Sequence, residues 1–148
     1  MNFISRDLAR YAGYSCVEAF QLDLRRHKWP LAPMKRLKGK YRYALSEAVL
    51  AYVISVLRHM GISASSVAAI LDRLDQIAFR QALDEFEANL VEEVILTLPI
   101  SRYFEPDDER KFETVHRSVR SANKTLSEVN AVYVRLTDFA WAKKEGHL

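Results

Sequence analysis

Apolar residues recur at helical spacing over most of the chain, and the few glycines and serines mark where each run begins and stops. Ser5 is a good N-cap for a first short helix whose stripe is Leu8, Ala9 and Ala12, and Gly13 ends it. Ser15 is placed to cap a second helix carrying Val17, Phe20, Leu22 and Leu24. Residues 5–26 therefore read as helix, tight turn, helix. A plain helical hairpin and a helix-turn-helix both fit. Pro30, Pro33 and Gly39 then forbid a continuous helix, and Lys40-Tyr41-Arg42-Tyr43 alternates as a strand does, which predicts a loop with a short β-ribbon. Ser46 or Leu45 begins a third helix with Ala48, Val49, Tyr52, Val53, Val56, Leu57 and Met60, stopped by Gly61. Ser63 caps a fourth with Val67, Ile70, Leu71, Leu74 and Ile77.

From 62 to 98 there is neither Gly nor Pro, and Leu83, Phe86, Leu90 and Val94 continue the apolar pattern. Helix is predicted through most of it, with a break near 78–83 where the stripe drifts. Val94–Leu98 fits a short strand or a buried helix end equally well. Pro106 with Asp107-Asp108-Glu109 predicts a helix start, and Lys143-Lys144 with Gly146 a stop. Between them Phe112, Val115, Val119, Ala122, Leu126, Val129, Tyr133, Leu136 and Ala140 alternate at spacings of 3 and 4, four heptads in all. Thr125-Leu-Ser-Glu128 is a capping-box pattern inside that run. One long helix, two nearly collinear helices and a folded-back hairpin all fit, and the stripe is either a dimer seam or the inside of an intramolecular bundle.

Charge changes the picture more than composition does. The 148 residues are 49% hydrophobic and 28% charged, an ordinary globular balance. The net charge of +3 conceals an asymmetry: residues 1–60 hold 11 Lys/Arg and 4 Asp/Glu, the remainder 11 and 15. Eight of the nineteen residues from 25 to 43 are Lys or Arg and none is acidic. A basic front and an acidic rear fit a module that meets a polyanion, followed by one that does not. The lone Cys16 can form neither an internal disulfide nor a cysteine-based zinc site, and this usage fits a reducing, cytoplasmic compartment. No apolar run reaches the roughly 20 residues needed to cross a bilayer, and the first residues lack a signal-peptide pattern.

Several pieces of the front, in order, are Ala12-Gly13-Tyr14-Ser15, then Gly39-Lys-Tyr-Arg-Tyr43 leading into Ser46-Glu47-Ala48-Val49, then Leu57-Arg58-His59-Met60-Gly61-Ile62-Ser63. Together they resemble the DNA-binding domain of MerR-type winged helix-turn-helix regulators over residues 5 to about 74. Departures are the lack of paired tyrosines after the second helix, a longer loop with Trp29, Pro30 and Pro33, and a rear without the cysteine ligands of metal-sensing members. Excisionase-like proteins share the same small fold. The resemblance implies DNA binding and the architecture of a basic wing beside a recognition helix.

The expectation is an all-α protein with a small β wing. A winged helix-turn-helix occupies 1–76 and a helical dimerisation or interaction region 77–148. The expected partner is double-stranded DNA, bound by a cytoplasmic transcription regulator acting as a homodimer, with RNA polymerase or another regulatory protein as a further partner and no membrane. Gln21, Arg25 and Arg26 are candidates for base edges or phosphates, Ser15 for phosphate, and Lys28 is a further candidate DNA contact. Lys35, Arg36, Lys38, Lys40 and Arg42 are candidate wing contacts. Glu18 can accept from a cytosine or pair with Arg25 or Arg26. Tyr41 is open between stacking and packing, while Trp29 and Tyr43 read as core. Phe112, Val115, Val119, Leu126, Val129, Tyr133 and Leu136 are the expected dimer seam. Cys16 is either a thiolate at a helix start or a small buried residue, the commoner role. His27, His59, His116 and His147 lack ligand spacing, and Glu92-Glu93 reads as a solvated helix face. No metal, cofactor or catalytic residue is expected. The alternative is a protein-interaction adaptor that keeps the helix-turn-helix shape, works through its acidic rear and binds no DNA.

Overall fold

The computed structural model describes residues 2–100, 113–128, 131–136 and 139. The described chain divides into two units, with the boundary between Asp72 and Arg73.

The first unit contains α1 (Ser5–Tyr11), α2 (Val17–Arg26), the strands β1 (Lys35–Leu37) and β2 (Lys40–Arg42), α3 (Leu45–His59) and α4 (Ala64–Leu71). Helix α1 starts at the expected cap residue itself. Ile4 takes the cap position, and its N–H donates to the Asp7 carboxylate at 3.0 Å, so Ser5 is already helical. Leu8, Ala9 and Tyr11 are buried, and α1 packs on α2 and α3. Helix α3 is buried on nearly every side from Leu45 to Leu57, as its almost unbroken apolar sequence requires. Its first turn also buries Ser46 and Glu47, whose side chains hydrogen-bond at 2.5 Å. Phe3 and Tyr43 exchange backbone hydrogen bonds of 2.9 and 2.8 Å, which ties the base of the ribbon to the segment entering α1.

Helices α1, α2 and α3 end in the same way. The residue after the cap takes a left-handed conformation, and two backbone N–H groups close on the last turn. The left-handed residue is Gly13 after α1 (φ +86°), Lys28 after α2 (φ +53°) and Gly61 after α3 (φ +82°). Ser63 caps α4, with its hydroxyl accepting from the Ser66 N–H at 3.3 Å.

The second unit departs from the all-helical expectation. It contains α5 (Gln76–Glu87), β3 (Ile95–Pro99), β4 (Val115–His116), α6 (Val119–Glu128) and β5 (Ala131–Arg135). The strands form an antiparallel sheet in the order β4-β3-β5. All five residues of β3 are buried, so the run that fitted strand or helix end is the central strand, and both its faces are covered. Helix α6 packs on β3 and β4, and α5 on β4. The break between α4 and α5 falls at 72–75 instead of 78–83, because Asp75 caps α5 by accepting from the Ala78 N–H at 3.0 Å.

The expected seam does not lie on one helix. Val115 is in β4, Val119 and Leu126 in α6, and Tyr133 in β5, with Leu136 just beyond it. The Thr125–Glu128 pattern caps nothing; α6 runs through it and starts instead at Ser118, whose hydroxyl accepts from Ser121 N–H at 3.2 Å. In β5 the buried residues are Val132 and Val134, neither of which belongs to the stripe, while Tyr133 is only half-buried. The strand alternation of two has replaced the helical repeat. Phe112, Val129, the helix start at Pro106–Glu109 and the stop at Lys143–Gly146 lie outside the described residues. No described helix is long and apolar enough to cross a membrane.

Candidate nucleic-acid interface

The basic segment begins on α2. Phe20 is the buried anchor of this helix, and Tyr14 and Trp29 lie edge-on or tilted beside its ring at 5.5 and 6.5 Å. With Phe20 turned inward, the other side of α2 presents Glu18, Leu22, Arg25 and Arg26 as exposed residues and Gln21 as a half-buried one. Gln21 and Arg25 stand one turn apart, as do Leu22 and Arg26. Leu22 is 48% exposed although it reads as part of an apolar stripe. It is the residue on this face that the pattern assigns to the core, and an apolar side chain among cations suits contact with a thymine methyl.

Asp23, the acid within this stretch of α2, is occupied from the side. Its carboxylate accepts from Tyr14 Oη at 2.6 Å, and His27 Nε2 lies 3.9 Å from it. Burial and that hydrogen bond raise the Tyr14 pKa above its ordinary value and keep the phenol a donor. Ser15 is exposed but lies one residue outside the helix. The cap is Cys16, also exposed, whose Sγ accepts from Ala19 N–H at 3.4 Å. Cys16 is therefore not the buried small residue that a lone cysteine most often is.

Trp29 fixes the far end of α2. It is 4% exposed, stacks on His27 at 5.8 Å, and donates from Nε1 to the Ala64 carbonyl at the start of α4 at 3.1 Å. The packing role expected for Trp29 and Tyr43 is the one they have, since both are buried.

The ribbon continues the cationic surface. Lys35 pairs with Arg42, Arg36 with Tyr41, and Leu37 with Lys40. Paired residues share a face and alternate along the strand, so Lys35, Leu37, Lys40 and Arg42 lie on one face and Arg36 and Tyr41 on the other. Lys38 (φ +49°) and Gly39 (φ +76°) form the two-residue turn, the conformation that matches the twist of a hairpin. Arg36 stiffens it: Nε donates to the Gly39 carbonyl at 3.2 Å, and the guanidinium lies over the Tyr41 ring at 5.5 Å. Tyr41 is thus partnered by Arg36 across the ribbon and still 45% exposed.

Arg25, Arg26, Lys28, Lys35, Arg36, Lys38 and Lys40 are all exposed, and Arg42 is half-buried. Among the described residues no salt bridge involves any of the eight, and Glu18 pairs with neither Arg25 nor Arg26. Cations at this density without local neutralisation have an unmet demand for anions, which a row of phosphates satisfies.

Among the described residues of the second unit, His116 is the centre of a buried polar cluster. His116 is 1% exposed, with Nε2 2.8 Å from Thr97 Oγ1 and Nδ1 2.7 Å from Ser121 Oγ. Thr97 donates its hydroxyl to the Glu113 carbonyl at 2.9 Å, so Nε2 donates to Thr97, while Ser121 Oγ stands between Nδ1 and Glu113 Oε2, the latter at 3.3 Å. Burial holds the His116 pKa below the ordinary histidine value, with the nearby Glu113 acting in the opposite sense. This is a satisfied core network that joins β3, β4 and α6. No group of three or more His, Cys, Asp and Glu side chains able to hold a metal occurs among the described residues. No protein-family model matches the chain, and comparisons with curated proteins and with solved structures return no match.

Proposed function

We propose that the first unit is a winged helix-turn-helix module that binds double-stranded DNA in a sequence-specific manner, and that the protein acts as a transcription regulator. The observation that carries this reading is the acid-free row of eight cations from Arg25 to Arg42, seven exposed and one half-buried, running from the end of α2 along the ribbon. In this reading α2 enters the major groove, which admits one helix. Arg25 or Arg26 reads guanine through O6 and N7, Gln21 reads adenine through N6 and N7, and Leu22 meets a thymine methyl. The ribbon lysines and arginines hold the flanking backbone. The resemblance of the front to MerR-type regulators supports the same arrangement. Binding is stoichiometric and makes no covalent bond.

The homodimer expected from the 112–140 stripe forms no part of the proposal, because that stripe is divided among β4, α6 and β5. The test is a titration against mixed-sequence duplex DNA at several salt concentrations, followed by selection from a random pool. Phosphate neutralisation gives a logarithmic salt slope of about −0.9 per contact, and a selected site should bind at about 10⁻⁸ M or tighter. A folded protein with no measurable duplex affinity at low salt overturns the reading and leaves the adaptor as the working function.

A further inference from the structure

Leu37 is 44% exposed on the last position before the ribbon turn. Its ribbon face otherwise carries Lys35, Lys40 and Arg42, and the next residue is Lys38. Leu37 is not among the buried residues that make the core of the unit. The tip that bears it is nonetheless held stiffly by the Lys38-Gly39 turn and by Arg36 closing on the Gly39 carbonyl from the opposite face. One apolar side chain is thereby presented on a ribbon face that it shares with Lys35, Lys40 and Arg42 and with no acid.

We infer that Leu37 is a wedge: with the ribbon tip at the minor groove of a DNA duplex, Leu37 inserts between neighbouring base pairs, unstacks them and kinks the duplex. The inference rests on the duplex-binding reading above and adds the groove, the inserted residue and the deformation. The charge pattern selects the occupant, since Lys35, Lys38, Lys40 and Arg42 can take phosphates on both sides of the groove while Leu37 is aimed between them. Apolar wedges in the minor groove bend DNA toward the major groove by about 20–90°, which opens the minor groove to the inserting element. Met34 and Tyr41, the other exposed apolar residues here, suit the role less. Met34 lies at the ribbon base, where its N–H donates to the Arg42 carbonyl at 2.8 Å, and the Tyr41 ring is held under Arg36.

Ring closure tests it. A pool of duplexes about 100 bp long, randomised at the centre, resists circularisation because the persistence length is about 150 bp. With saturating full-length protein, ligation should close rings many-fold faster than without it. Leu37→Ala should lose that acceleration at saturation while its salt slope of binding stays unchanged. Leu37→Met should keep both. Circular dichroism of each variant confirms the fold. Wild-type protein that binds the pool without accelerating closure overturns the wedge. So does a Leu37→Ala variant that closes rings as wild type does, or one that is folded but no longer binds. A wild-type protein that binds no duplex overturns the DNA-binding reading itself, and the wedge falls with it.

Discussion

The two units handle positive charge in opposite ways. In the second unit three arginines are tied down, while Arg120 is left exposed. Arg117 forms a two-point bridge to Glu85, with Nε at 2.6 Å and Nη2 at 3.2 Å. Arg135 pairs with Glu93, and Arg73 donates to the Pro99 carbonyl at 2.9 Å. The Arg117 hydrogen bond holds the Glu85 carboxyl below the usual carboxylate range. In the basic segment of the first unit the described residues offer no such bridge, and Asp23 is taken up by Tyr14. Arginines in bridges of this kind fasten one element to another; cations left to water are available to a partner.

The turns show the same contrast. Four helices end on a left-handed residue, and in three cases it is Gly13, Gly61 or Asn89, types that adopt this backbone readily. After α2 it is Lys28, and Lys38 takes the first turn position of the ribbon, where Asn or Asp is preferred. Both left-handed lysines fall in the basic segment. A lysine there carries about 1–2 kcal/mol of conformational cost that glycine would avoid. The segment keeps charge at the sacrifice of local stability.

Four measurements would break or sharpen this comparison. The largest effect belongs to the anchors. Phe20 and Phe79 are both fully buried, one in each unit, and Phe20→Ala or Phe79→Ala should each cost about 3–5 kcal/mol in denaturant unfolding. Of the two, Phe20→Ala removes the packing that orients α2. An effect below about 1 kcal/mol at Phe20 would mean that α2 is not anchored as described.

Next in size is the removal of ribbon charge. Changing Lys35, Lys38 and Lys40 together to Ala should lower the salt slope of duplex binding by up to roughly 2.7, at about 0.9 per contact. Arg36 is left in place because it braces the turn. Arg117→Ala, which removes one equally formal charge from a bridge, should leave the slope unchanged. Equal slopes for the two variants would erase the distinction between tied and available cations.

The third concerns acid. Because burial depresses the folded-state pKa of His116, the unfolded chain takes up its proton first as pH falls. The stability of the neutral network should be complete above about pH 6.5 and be lost progressively below it, down through the folded-state pKa. Replacing His116 by Gln should lower stability at pH 8 by about 1–3 kcal/mol through the two lost hydrogen bonds. It should also flatten the decline between pH 7 and 5. A wild-type stability that is level across that interval would show that His116 does not titrate on unfolding.

The smallest effect is at Lys28. Lys28→Gly relieves the left-handed backbone and should stabilise the protein by up to about 1 kcal/mol, while reducing duplex affinity and lowering the salt slope by about 0.9. A gain in stability without loss of affinity would separate this strain from binding.

Much of the front was legible because its punctuation is local. Gly13, Gly61 and Ser63 act on the backbone beside them, so their roles can be read without knowing what packs where. The basic segment was legible for the same reason, since eight cations without an acid remain so in any fold. The rear was not, because its stripe at spacings of 3 and 4 crosses a strand, a helix and another strand. The better signal was composition: Val132-Tyr133-Val134 and Val94-Ile95 are β-branched and aromatic clusters that favour a pleated surface. Asp75, a stronger cap than any residue in 78–83, marked the start of α5. The exposure of Leu22 and Leu37 is not legible in the sequence, because apolar identity alone does not say which side of an element meets water.

Cys16 has a practical consequence. It is the one thiol of the chain, exposed at the threshold of α2 and opposite in sequence to the Trp29 lock at the other end of that helix. A maleimide dye can therefore be attached at a single defined point, at the start of α2. Sulfur is a weak acceptor, so alkylation takes away little of the capping and Cys16→Ser would strengthen it. The protein comes with its own reporter position at the start of α2.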